Sequence, residues 1–101
     1  MNTKTTTYPF DVARLVEICR QNDVVRLGVF GSMASGQSTA HSDIDLLVEF
    51  SKRKGLLALV ALERKLSLAL GRKVDLLTEG ALSPYLRVGI LAELEVIYES
   101  R

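Results

Sequence analysis

The chain has 101 residues, of which 48% are hydrophobic and 25% charged; these are ordinary globular proportions, and they exclude a wholly disordered chain, a collagen-like fibre and a disulfide-stapled miniprotein. Thirteen Lys and Arg against twelve Asp and Glu leave a formal charge of +1, so no global field favours nucleic acid or an anionic membrane, and no direct nucleic-acid binding by this chain alone is expected. One cysteine, Cys19, excludes an internal disulfide and a Cys-rich metal site, while the lack of an apolar leader or of any apolar run near ~18–20 residues makes the cytoplasm the expected location.

A single domain over residues 1–101 is expected, since chains of this length build one core. Residues 1–7 are polar and Thr-rich and read as a flexible arm. A helix is predicted over 9–21: Pro9 suits a first turn, and Val12, Leu15, Val16 and Cys19 recur at helical spacing. Val24 to Phe30 is β-branched and apolar, and predicts a buried strand. Gly31-Ser32 follows at once, then a small, polar stretch over 33–42, read as one helical turn and a loop. A second strand is predicted over 43–50, a basic turn over 51–55, and a helix over 56–70 capped by Gly71. A strand over 73–78, a turn at Glu79-Gly80, a helix over about 83–93 opened by Ser83-Pro84, and a short strand over 94–98 complete the chain. The expected architecture is α/β: a four-stranded mixed sheet with helices on one or both faces.

Three carboxylates stand where folding alone would not put them. Residues two apart on a strand share a face, so Asp43 and Asp45 point the same way, about 6.6 Å apart. Ile44, Leu46 and Val48 then face the core. Asp75, between Val74 and Leu76, follows the same logic. If the two strands are neighbours, the three acids converge on one face. Clustered carboxylates repel and stay ionised together only beside a compensating cation. Oxygen-only ligands select Mg²⁺ or Mn²⁺, and two such ions can serve both oxygens of an in-line phosphoryl displacement.

Gly31-Ser32 supplies a second element. Glycine permits a tight bend and a close approach of phosphate, and the amides at a helix start, with a hydroxyl, suit an anion. The stretch from Gly31 to Ser38 also resembles a P-loop, but Gln37 stands where the lysine belongs. The chain then runs straight to another strand, so that reading is rejected. His41 and the Lys52-Arg53-Lys54 turn are read as solvated, and Cys19 as core packing.

Phe30-Gly31-Ser32, Gly36, Ser42-Asp43-Ile44-Asp45 and Val74-Asp75, with the closing stretch Leu86 to Glu99, resemble the minimal nucleotidyltransferases of the polymerase-beta superfamily. The resemblance implies the palm fold of that superfamily over nearly the whole chain. It implies that Asp43, Asp45 and Asp75 are catalytic and hold two Mg²⁺ ions, Mn²⁺ being an alternative. Gly31, Ser32 and Ser42 would bind the phosphates of ATP or another nucleoside triphosphate. Asp75 would help activate the acceptor hydroxyl. One departure is Ser35, where many members of the family carry a basic residue.

Stand-alone members of this size commonly pair with HEPN-domain toxins as antitoxins and can transfer AMP to the partner. The resemblance therefore implies a Mg²⁺-dependent transfer of AMP to a hydroxyl of a HEPN-domain protein in a hetero-oligomer. Two rivals accompany it. One is a non-catalytic module that neutralises its partner by occlusion, suggested by the small size and by Ser35. The other is transfer to a small molecule, for which this chain lacks an enclosing domain.

Overall fold

A computed structural model describes residues 8–36, 39 and 42–100. The expected arm over 1–7, and Gln37 and His41, lie outside the described residues. The elements in chain order are α1 (Val12–Arg20), β1 (Val24–Phe30), α2 (Ser32–Ser35), β2 (Ile44–Phe50), α3 (Leu56–Leu70), β3 (Val74–Thr78), a 3₁₀ turn (Glu79–Ala81), α4 (Pro84–Glu93) and β4 (Glu95–Glu99). They build the expected mixed sheet, in the order β3-β2-β1-β4. β1 runs antiparallel to both β2 and β4, and β2 runs parallel to β3. A parallel pair needs a long crossover, usually a helix, and α3 provides it.

Alternation along the strands separates core from site. Ile44, Leu46 and Val48 of β2, Leu27 and Val29 of β1, and Val74 and Leu76 of β3 are buried in one cluster. Leu15, Ile18 and Cys19 of α1 and Leu62 and Leu66 of α3 close it from the same side. The opposite face carries a smaller cluster, Phe30, Leu47 and Leu82, with Ile90 of α4 and Leu94, just past its end, packed on it. Helices therefore cover both faces, and the second is covered only in part.

α1 begins at Val12, not at Pro9. The Asp11 carboxylate accepts from the Arg14 amide at 3.0 Å and sets the start, a side-chain cap that outcompetes proline's fixed φ as a helix signal. Its buried stripe is Leu15, Ile18 and Cys19, with Val16 only half-buried. The basic turn is less solvated than its composition suggests. Lys54 donates to the Asp23 carboxylate at 2.7 Å, and Lys52 lies 4.0 Å from the same oxygen, which locks the turn onto the α1–β1 corner and holds the Asp23 carboxyl below its ordinary value.

Burial pushes the Cys19 thiol from an ordinary value of 9.0 up to about 12. The native protein should therefore resist a thiol reagent at pH 8 and be modified only as fast as it unfolds. Because the folded state keeps its proton longer, stability should fall as pH rises from 9.0 towards 12. Rapid stoichiometric labelling of the folded protein would contradict this placement of α1.

Candidate active site

The site lies where β1 ends and β2 and β3 begin. Asp45 of β2 pairs in register with Asp75 of β3 across the parallel ladder, so their side chains leave the same face side by side. Asp45 also sits opposite Phe30, the last residue of β1, and this brings the Gly31 turn against it. Asp43 stands one residue before β2. The Ile44 amide donates to the Lys73 carbonyl at 2.9 Å, which ties the two strand entries together. Arg72 steadies the same corner by donating to the Thr39 and Ser42 carbonyls at 3.1 and 3.2 Å.

The acids repel. Burial raises the Asp45 carboxyl above the ordinary carboxylate range, and the charges of Asp75 and Asp43, a hydrogen bond with Asp75 and the charge of Glu93 add to it. Lys73 faces two of the acids: its ammonium is 3.9 Å from both Asp43 and Asp75. Among the described residues no three acids, histidines or cysteines are gathered into a ready-made ion cage. The convergence expected from the sequence is thus closest for Asp45 and Asp75, with Asp43 joined through Lys73. An all-oxygen donor set that already attracts a lysine fits a hard divalent cation.

This arrangement costs stability. Like charges directly opposite on a sheet cost a few tenths to about 1 kcal/mol. Asp75→Asn should therefore raise the melting temperature of the metal-free protein by about 2–4 °C near pH 7. Added Mg²⁺ should raise the wild type more than the variant. A lower melting temperature for the variant would contradict the repulsion.

Gly31 has φ 74° and ψ −149°, a region open essentially to glycine alone. A Cβ there would collide with the Asp45 carboxylate. The turn thus delivers the start of α2 directly to the acids. The Gly31 amide does not stand open: it donates to the Glu93 carboxylate at 2.8 Å. Ser32 opens α2 and is half-buried. Ser42 uses its hydroxyl to accept from the Thr39 amide at 2.8 Å, closing the loop that leads to Asp43. Ser35 is exposed and donates back to the Ser32 carbonyl at 3.3 Å, a bond within the short α2. A cavity of about 520 Å³ opens farther along the same sheet face, lined by Arg26, Gly28, Leu47, Leu94 and the basic turn, but by none of the three acids.

Glu93 is the neighbour of the acids that reading the sequence did not place. Glu93 is 62 residues from Gly31 and stands in an ordinary helical stretch, so nothing local marks it.

A family model described as the nucleotidyltransferase domain matches residues 12–97. A Methanocaldococcus jannaschii relative, named as a protein adenylyltransferase, is 41% identical over 80 residues, covering 79% of this chain and 86% of its own. The protein adenylyltransferase MntA of Thermococcus cleftensis is 35% identical over 78 residues, covering 77% and 79%. A solved minimal nucleotidyltransferase superposes with a TM-score of 0.72 at 37% identity, over 83% of this chain and 86% of that one. A toxin–antitoxin structure, the MntA-HpeT mutant Y104A, gives 0.76 at 26% identity, over 90% and 74%. Matched over most of its length by that family model and by these relatives, the chain belongs to the nucleotidyltransferase domain family, as an enzyme of the minimal nucleotidyltransferase type.

Proposed function

We propose that this enzyme moves AMP from ATP to a hydroxyl of a partner protein, and that Asp43, Asp45 and Asp75 carry the reaction. The single observation that supports the assignment most is the in-register pair Asp45–Asp75 set against the Gly31 turn. Asp43, Asp45 and Asp75 would hold the divalent ions, for which Mg²⁺ fits the donor set. When bound, the ions neutralise the triphosphate and stabilise the charge that builds on the reacting oxygens. The Gly31 amide and Ser32 hydroxyl would orient the β- and γ-phosphates, with Ser42 shaping the loop beside them. Asp75 would take the proton of the acceptor hydroxyl as its oxygen attacks the α-phosphorus. The bond to the bridging oxygen breaks, and pyrophosphate leaves.

The protein acceptor is supported by relatives named protein adenylyltransferases. A HEPN-domain partner, with this chain as antitoxin, is supported by the family resemblance and by the toxin–antitoxin complex among the similar folds. Among the described residues no helix is long and apolar enough to cross a membrane, and a cytoplasmic location is part of the proposal.

The test uses α-labelled ATP and a HEPN-domain protein as the acceptor. Label should pass to the partner only with a divalent ion, and chelation should stop it. Equal labelling by an Asp43→Ala variant would overturn the reading. Protection of cells by an Asp43→Ala/Asp45→Ala variant that still forms the complex would favour occlusion, which Ser35 in the basic residue's place makes worth testing.

A further inference from the structure

We infer that Glu93 is a built-in competitor for nucleotide phosphate and sets the affinity of the site. The inference rests on the proposed nucleotide site and goes beyond it. The Glu93 carboxylate accepts the Gly31 amide hydrogen bond at 2.8 Å. That amide belongs to the glycine turn whose α-carbon lies close against the Asp45 carboxylate, so a phosphate oxygen entering on the Gly31 amide and the Glu93 carboxylate would claim the same hydrogen. Two anions cannot share it, and Glu93 also adds negative charge at Asp45.

Glu93 ends α4, and its side chain is exposed, so it can turn towards solvent without disturbing a core. Lys73 plays the complementary part at the acids, 3.9 Å from Asp43 and Asp75. One carboxylate and one ammonium of the chain itself thus engage the Gly31 amide and the acids. Binding a nucleotide with its cations exchanges both. An amide hydrogen bond to a charged acceptor is worth enough to matter for affinity.

The experiment measures binding of ATP and of inorganic tripolyphosphate, each with Mg²⁺, by titration calorimetry. The wild type is compared with Glu93→Ala and Glu93→Gln, and the Gly31 amide resonance is followed by NMR. Removing the competitor should tighten both ligands by about three- to tenfold. Glu93→Gln, which keeps an acceptor but loses the charge, should fall between, and it serves alone should Glu93→Ala not fold. The Gly31 resonance should move in the unliganded variants and converge with wild type once phosphate is bound. Equal or weaker binding by the variants overturns the inference while leaving the nucleotide site intact. Absence of binding by all three proteins overturns the nucleotide site itself, and the inference with it.

Discussion

Asp45→Asn should lower the rate of AMP transfer by about a thousandfold or more without loss of fold. The magnitude is that of deleting a group that stabilises transition-state charge in a closed site. Asp45 is the acid with the most neighbours: Asp75 faces it across the ladder, Asp43 stands two residues away, and the Gly31 turn abuts it. The substitution removes a repelling charge, so the melting temperature should hold or rise. Separating the two readouts matters, because a destabilised protein would lose activity for a trivial reason. A variant that keeps more than a tenth of the wild-type rate would remove Asp45 from the chemistry. One that unfolds would show that the carboxylate is structural.

Gly31→Ala should be damaging in a different way. Alanine at φ 74° and ψ −149° is strained, at a cost on the order of 1–3 kcal/mol. The new methyl also meets the Asp45 carboxylate. Together these should cost about 2–4 kcal/mol and lower the melting temperature by about 10–20 °C. Transfer should be lost in whatever fraction remains folded. Gly36→Ala is the control. Gly36 also has positive φ, 78°, but a Cβ there meets nothing within 4 Å. It should cost about 1 kcal/mol and leave transfer largely intact. Equal destabilisation by the two would mean that the close approach to Asp45 contributes nothing.

Much of this site was legible locally. Period-two alternation in Ile44-Asp45-Leu46 and Val74-Asp75-Leu76 put the acids on the face away from the core, and the structure buries the aliphatic residues as expected. The edges of β1 and α3 also fall where β-branched residues and Gly71 place them. Partnership between β2 and β3 was only conditional, because strand pairing depends on contacts far apart in the chain. The same limit hid Glu93: its role comes from α4 folding back over the end of β1. Asp11 against Pro9 is a local conflict, settled by a side-chain hydrogen bond that composition alone does not rank. α4 is apolar around most of its circumference, yet Tyr85 is 95% exposed and none of its residues is buried, so its pattern did not reveal how little of it the sheet covers.

A crystal structure with Mg²⁺ and a non-hydrolysable ATP analogue tests the central claim most directly. The account predicts cation density among Asp43, Asp45 and Asp75, with Lys73 moved aside, and triphosphate oxygens on the Gly31 amide and Ser32 hydroxyl in place of Glu93. Asp75 turned away from the other two acids, with no ion among them and the triphosphate elsewhere on the sheet, would contradict it.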